Sequence, residues 1–137
     1  MKYLIDTHIF IWSLTADSKI SSHTEQILLD IENEIYLSIE SLREIAIKHR
    51  DRKLDLPDNF QNIMTSLRKK AGMKLLSIKE SHLLRLYQLE YPSDHKDLFD
   101  HMIICQAIDE KMTLISSDKN FPFYRKQGLL LLENKYN

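Results

Sequence analysis

Four acidic residues, Asp6, Glu44, Asp100 and Asp118, combine the residue type and positions that a metal-dependent hydrolase needs. Asp6 follows the apolar run YLI and Asp118 follows TLISS, so each comes at the carboxyl end of a predicted strand. Glu44 and Asp100 lie on predicted helices. Carboxylates that converge repel one another and raise their pKa values unless a cation joins them. Oxygen donors suit Mg²⁺ or Mn²⁺, and the chemistry predicted is phosphodiester hydrolysis by a metal-activated water.

Each acid also has a purely structural interpretation. Asp6 suits the N-cap of a following helix, and Asp97 suits the N-cap of the helix that carries Asp100 in its first turn. Glu44 suits a surface ion pair with Lys48, four residues later on the same helix. Taken singly these interpretations are adequate. The occurrence of two acids at strand ends and two on helix faces favours a shared site.

Predicted strands and helices alternate along the chain. Runs of strand formers predict strands at 2–5, 35–39, 74–78, 112–116 and 129–133. Apolar periodicity predicts helices at 8–14, 23–32, 42–50 behind a Ser41 N-cap, 59–71, 80–89 and 98–110, with a helical turn at 120–125. This alternation predicts an α/β fold with a parallel sheet covered on both faces. Ligands of such sheets bind outside the carboxyl ends of the strands, where Asp6 is predicted to lie.

Composition narrows the class of protein. With 137 residues, 43% of them hydrophobic, and a net charge of −1, the chain predicts a single globular domain over 1–137. One cysteine, Cys105, cannot form an internal disulfide, which favours a cytoplasmic location. No apolar run approaches the ~20 residues of a spanning helix, so no membrane partner is expected. Two glycines are too few for a Gly-rich phosphate loop, and no CxxC or HExxH motif indicates zinc.

The ordered motifs give the chain a family resemblance. It resembles the PIN-domain ribonucleases, and among them the VapC-type toxins of bacterial toxin–antitoxin pairs. The segments that carry the resemblance are YLIDTHIFIW (3–12), IYLSIESLREIAIK (35–48), LLSI (75–78), HKDLFD (95–100), LFDHMIICQAI (98–108) and LISSD (114–118). Each motif is short, but their order and spacing extend the resemblance over essentially the whole chain.

The resemblance implies a three-layer α/β/α fold with a central parallel sheet and a magnesium-dependent endoribonuclease. Carried over by motif position, the acidic cluster that binds the metal and performs catalysis is Asp6, Glu44, Asp100 and Asp118. Asp97 is implied as a ligand through water or as a helix cap. Thr7 and Ser116 are implied as residues whose hydroxyls orient a carboxylate or a water.

The resemblance also implies partners. These are an RNA substrate, a small antitoxin protein that binds near the acidic rim, and a second copy of the chain in a homodimer. Phe10 and Trp12 are predicted to line an apolar groove for an antitoxin helix. The basic stretches 42–53 and 66–74 are candidates for holding the RNA backbone.

Two alternative functions remain at this point. A receiver-like phosphoacceptor module also has a parallel sheet and Mg²⁺-binding acids, but it expects two adjacent acids after the first strand, where this chain has Asp6-Thr7-His8. A catalytically silent PIN fold would act only by binding a partner, although its acidic cluster would then have no need to be complete.

Overall fold

A computed structural model describes residues 1–69 and 72–136. The strands are β1 (Lys2–Ile5), β2 (Glu34–Ser38), β3 (Met73–Leu76), β4 (Thr113–Ser116) and β5 (Leu130–Glu133). The helices are α1 (Thr7–Ser13), α2 (Ser22–Leu29), α3 (Ile39–Arg50), α4 (Phe60–Lys69), α5 (Glu80–Gln88) and α6 (Leu98–Glu110), and Phe121–Gln127 form a 3₁₀ helix. The predicted order of elements is confirmed.

The five strands form one parallel sheet in the order β3-β2-β1-β4-β5. The chain therefore leaves β1 towards one edge and later returns to the other side of β1 with β4. The carboxyl ends of β1 and β4 are adjacent at this reversal, and such switch points are where open α/β sheets bind ligands. A receiver-like module has the order 2-1-3-4-5, so the topology contradicts that alternative.

Alternating side chains of the central strands supply a core on each face of the sheet. Ile5 packs on one side with residues of α1 to α4, including Phe10 and Ile45, whereas Leu4 packs on the other with residues of α6 and the 3₁₀ helix. Because both faces of the central strands are covered, the inner residues of β1 and β4 are apolar on both sides. Helices on two faces of a parallel sheet make the predicted three-layer α/β/α fold, which is confirmed.

The start of α3 differs from the prediction. Ser41 is not the N-cap, because α3 begins directly after β2 and Ser38 takes that role, its hydroxyl accepting from the Glu40 N–H at 3.0 Å. Ile39, predicted to end the strand, is the first helical residue. Ser41 is instead buried inside the first turn, and this earlier start sets the direction in which Glu44 points.

The end of α2 also differs. The helix stops at Leu29 rather than at residue 32, because the Asp30 carboxylate accepts from the Glu32 N–H and closes a turn. Ile31, predicted on the apolar face, is 94% exposed. The predicted end of the fourth helix at 70–71 lies outside the described residues. Within the described part of the chain, no helix is both long and apolar enough to cross a membrane.

Candidate metal centre

Asp6 lies at the junction of β1 and α1. It is the N-cap of α1, its carboxylate accepts from the Ile9 N–H at 2.9 Å, and its own N–H donates to the Ile115 carbonyl of β4 at 3.1 Å. Burial raises the pKa of Asp6 to about 6. Hydrogen bonds from the Ser116 hydroxyl and the Ile9 N–H favour the carboxylate and offset part of this rise. The N-cap role predicted for Asp6 is thus correct. It is compatible with a role in the metal site, because the same carboxylate also lies near other acids.

Glu44 is held by contacts from two helices. It is 3% exposed, and the Thr7 hydroxyl donates to its Oε1 at 2.6 Å. The Thr7 hydroxyl oxygen also lies 3.0 Å from Ser41 Oγ. Lys48 Nζ donates to the other oxygen, Oε2, at 2.5 Å. The predicted pairing with Lys48 is therefore present, but Glu44 is buried at the site and is not a surface residue.

Lys48 is a cation at the edge of the acidic cluster. Its Nζ lies 3.9 Å from Asp97 Oδ2 as well as against Glu44. Burial works against the charged ammonium, but the hydrogen bond to Glu44 and the charges of Glu44, Asp97 and Asp100 outweigh it and raise the pKa of Lys48. Lys48 therefore stays protonated and offsets one of the negative charges around it.

Asp97 and Asp100 stand at the start of α6. Asp97 is the N-cap and accepts from the Phe99 N–H at 2.9 Å and the Asp100 N–H at 3.1 Å. One carboxylate oxygen of Asp97 is used in this way, while the other lies near Lys48. The cap role predicted for Asp97 is confirmed. Asp100 points into the site from the first turn of the helix.

Asp118 follows β4 at the neighbouring strand end. Its N–H donates to the Ser116 hydroxyl oxygen at 3.0 Å, and its Oδ1 accepts from the Asn120 N–H at 2.8 Å. Ser116 is 1% exposed and lies between Asp118 and Asp6, lowering the pKa of Asp6. Ser116 thus contacts the acids on both central strands, in keeping with an orienting role.

The acids converge at the switch point. Burial and then the charges of Asp97, Asp118, Glu44 and Asp6 raise the pKa of Asp100 to about 8. Asp118 likewise acts against ionisation of Asp6. Asp100 therefore lies close enough to the other three predicted cluster members to be affected by their charges, and Asp6 is affected by that of Asp118. A cation would remove this repulsion.

Sequence reasoning missed His95. It is 3% exposed, with Nδ1 2.6 Å from the Tyr124 hydroxyl and Nε2 3.0 Å from Asp100 Oδ2. Burial raises the pKa of Tyr124 to about 12, so this hydroxyl keeps its proton. His95 therefore bridges Tyr124 and Asp100, with the direction of each hydrogen bond set by the tautomer of its ring. A histidine five residues before the acid, in the loop that enters α6, was the only available signal.

The donor set fits a hard divalent cation. Among the described residues, ligand atoms of His95, Asp100 and Asp118 lie within 4.8 Å of one another, and the charges of Asp6 and Glu44 act on Asp100. Oxygen ligands are what Mg²⁺ and Mn²⁺ prefer. His95 Nε2 lies close to Asp100 and Asp118. Depending on its tautomer, it orients Asp100 with its N–H or offers a lone pair to the ion.

A second group of metal-ligating types lies between α5 and α6. Here the Lys79 N–H donates to His82 Nδ1 at 3.0 Å, and His82 Nε2 lies 2.7 Å from Glu110 Oε2. Lys79 Nζ also donates to Glu110, and Arg85 pairs with Asp109. The cations already balance the carboxylates, so this group is a helix-to-helix contact and not a site.

The predicted apolar groove is wrong in part. Phe10 is 1% exposed and belongs to the core between the sheet and the helices, so it lines no surface. Trp12 is only partly buried, and its ring lies 5.4 Å from that of Tyr136 and 5.9 Å from that of His8, centroid to centroid. Residues four apart on a helix share a face, and for this reason Trp12 and His8 are neighbours.

Solved structures with the same fold come from toxin–antitoxin complexes. One is VapBC2 from Rickettsia felis bound to a DNA fragment from their promoter, with 17% identity, a TM-score of 0.68, and 98% of this chain and 100% of that chain covered. Another is FitAcB from Neisseria gonorrhoeae, with 17% identity, a TM-score of 0.64, and 96% and 97% covered. A third is VapBC-5 from Mycobacterium tuberculosis, with 13% identity, a TM-score of 0.61, and 96% and 98% covered. At these identities the likeness concerns the fold.

Among curated proteins no sequence match is found. A family model does match: the PIN domain, over residues 3–128. That range holds the whole acidic cluster, and membership supports a nuclease role. The resemblance to VapC-type PIN proteins is thereby confirmed for family and fold, and the chain belongs to the PIN domain family.

Proposed function

We propose that this protein is a divalent-metal-dependent endoribonuclease and the toxin of a toxin–antitoxin pair. The observation that carries the proposal is the convergence of Asp6, Glu44, Asp100 and Asp118 at the sheet switch point, where burial and then the charges of the neighbouring acids raise the pKa of Asp100 to about 8. A protein maintains such repulsion at a cost in stability, and binding a cation offsets that cost.

In this proposal the four carboxylates hold Mg²⁺ or Mn²⁺. When bound, the ion lowers the pKa of a water and stabilises the charge on the leaving oxygen of the phosphodiester. Residues around the acids orient the carboxylates. Thr7 orients Glu44 through its 2.6 Å hydrogen bond, and His95 orients Asp100. Ser116 lies between the two strand-end acids and keeps both directed at the same region.

Cations on α3 are candidates for the RNA backbone. Arg43 and Lys48 both lie over the Phe99 ring, at 5.3 Å and 5.6 Å from its centroid. Phe99 precedes Asp100, so these cations border the acidic cluster, where a bound phosphate needs neutralisation. This supports the predicted stretch 42–53. The other predicted stretch, 66–74, includes Lys70, which lies outside the described residues.

The proposal is tested by RNA cleavage. The purified protein is expected to cut single-stranded oligoribonucleotides internally when Mg²⁺ or Mn²⁺ is present and to stop when EDTA is added. Internal cuts in end-blocked oligonucleotides distinguish an endonuclease from an exonuclease. Absence of cleavage with either metal, in protein that binds the metal in calorimetry, would favour a catalytically silent PIN fold instead.

The toxin role requires a neutralising partner. Solved structures with a similar fold include a toxin–antitoxin complex from Klebsiella pneumoniae and VapBC-5, a member of a family of toxin–antitoxin systems. This supports an antitoxin for this chain. The antitoxin is expected to inhibit the site with an arginine that forms charge-assisted hydrogen bonds with Asp6 or Asp118 in place of the ion. A homodimer remains a prediction from the resemblance.

The antitoxin proposal predicts a growth phenotype. Induction of this chain alone in a bacterial host is expected to arrest growth within a few generations, because RNA cleavage stops protein synthesis. Co-expression with its antitoxin is expected to restore growth and to yield a co-purifying complex. Normal growth on induction of soluble, metal-binding protein would contradict the toxin role while leaving a nuclease role open to the cleavage assay.

A further inference from the structure

An open aromatic cavity adjoins the acidic cluster. It has a volume of about 220 Å³ and is lined by Asp6, His8, Trp12, Ser117, Asp118 and Tyr136. Two of the cluster acids therefore form one wall, and three aromatic rings form the others. The cavity continues directly from the site where a phosphodiester would be cut.

The rings leave aromatic surface accessible in this cavity. Trp12 and Tyr136 meet edge-to-face, with centroids 5.4 Å apart and planes at 76°, and His8 lies 5.9 Å from Trp12. Tyr136 is 46% exposed and His8 is exposed. Lys19 Nζ lies 5.6 Å from the Trp12 centroid and brings a positive charge to the rim.

The Tyr136 wall is held in place by Asn134. The Asn134 side chain, in a residue that is 2% exposed, donates to the Lys19 carbonyl and to Ser117 Oγ, both at 2.7 Å, and accepts from the Ser21 N–H at 2.9 Å. Its backbone N–H donates to the Ser116 carbonyl at 2.9 Å. These bonds tie the segment after β5 to β4 and to the loop that carries Lys19. The cavity is therefore a built feature of the fold.

The shape and chemistry of the cavity suit one flat heterocycle. Its volume of about 220 Å³ is below the roughly 300–1,000 Å³ of pockets for drug-sized ligands. Aromatic walls stack on a base of any kind, and the His8 ring can form a hydrogen bond with its edge. A base in a duplex is already stacked and paired, so the cavity selects for unpaired nucleotides.

We propose that this cavity binds an unpaired nucleobase next to the phosphodiester that is cut, with Trp12 and Tyr136 as the stacking surface. This rests on the proposed ribonuclease function and goes beyond it by naming the residues that select single-stranded substrate. Asp6 and Asp118 belong both to the metal site and to the cavity wall, so a base seated here sets its own flanking phosphate against the acids.

The test uses Trp12 as a reporter, because it is the chain's one tryptophan. The full protein is titrated with Ca²⁺ in place of Mg²⁺, because metal-free carboxylates repel a phosphate. The probes are an unstructured eight-nucleotide RNA and an abasic strand of the same length, and a gel checks that both stay intact. The RNA is expected to quench Trp12 fluorescence and to bind at least fivefold more tightly than the abasic strand. Equal affinity for both strands, or no binding of either, overturns the proposal.

Variants of Tyr136 separate stacking from folding. Tyr136→Leu is expected to weaken RNA binding about 5- to 100-fold, corresponding to the ~1–3 kcal/mol of one base–aromatic stack, whereas Tyr136→Phe keeps the ring and is expected to retain wild-type affinity. Tyr87→Leu is the matched control, since Tyr87 is 92% exposed on α5. If Tyr136→Leu binds RNA as the control does, the proposal is wrong.

Cleavage kinetics distinguish failure of this proposal from failure of the proposed function. With Mg²⁺, Tyr136→Leu is expected to raise KM for single-stranded RNA and to leave kcat within about threefold. Wild-type cleavage with an unchanged KM in Tyr136→Leu would overturn the cavity proposal alone. Absence of any metal-dependent cleavage by the wild type would remove the ribonuclease function as well. If a purified antitoxin changes Trp12 fluorescence and RNA does not displace it, the cavity binds protein instead.

Discussion

Asp6→Asn is expected to reduce metal-dependent RNA cleavage by about a thousandfold or more, corresponding to about 4 kcal/mol of lost transition-state stabilisation. The substitution removes the charge that holds the ion and keeps the size of the side chain. It also keeps the cap, because asparagine accepts the Ile9 N–H bond that begins α1 as well as aspartate does. The measurement is the cleavage rate of an end-labelled oligoribonucleotide at saturating Mg²⁺.

The fold of Asp6→Asn is expected to survive, since the carboxylate it replaces is already disfavoured by burial in the metal-free protein. Circular dichroism and the melting temperature in EDTA check this. Asp55→Asn is the control, because Asp55 is an exposed acid in the loop before α4. A folded Asp6→Asn protein that cleaves at the rate of this control would show that the catalytic acids lie elsewhere.

Asp100→Asn is expected to stabilise the metal-free protein as pH rises. The pKa of Asp100 is about 8 in the folded chain, against an ordinary value of 3.8. The folded state therefore binds this proton more tightly than the unfolded state does. That contribution to stability is complete below pH ~4 and is lost as pH rises through the folded pKa of about 8. Asparagine does not titrate and removes this loss.

The window from pH 6 to 8 isolates Asp100, because the pKa of Asp6 is about 6. Across it, the free energy of unfolding of the wild type in EDTA is expected to fall by about 2 kcal/mol relative to Asp100→Asn, or roughly 8 °C in melting temperature. Adding Mg²⁺ should reverse the difference, since the ion favours the carboxylate. If the melting temperatures of the two proteins change equally between pH 6 and 8, the convergence of charges at Asp100 is contradicted.

Much of the fold was predictable from local patterns. The runs YLI, IYLS, KLL, TLIS and LLLL are rich in strand formers, so the parallel sheet followed from their alternation with helical segments. The N-cap role of Asp97 was equally local, since a capping carboxylate bonds only to the turn that follows it. Boundaries failed where two elements join without a loop, as at Ser38 and Ser41.

The strand order required the tertiary structure. Alternating elements are compatible with more than one order of strands, and only the pairing of β1 with both β2 and β4 makes Asp6 and Asp118 neighbours. The acids could be named from their types and positions, but their shared region, and the pKa of about 8 that results at Asp100, depend on that order. Charge repulsion varies with distance through space, which spacing along the chain does not determine.

Contacts between residues that are far apart along the chain could not be predicted from the sequence, for the same reason. Thr7 bonds to Glu44, His95 to Asp100 and Tyr124, and Tyr136 closes a cavity begun by Trp12. No periodicity relates these positions, because each pair joins elements that meet only when the sheet is assembled. The sequence by itself determined which residues can bind a metal and which elements carry them; the packing of α1, α3 and α6 on one end of the sheet decided which side chains orient the acids and which surface adjoins them.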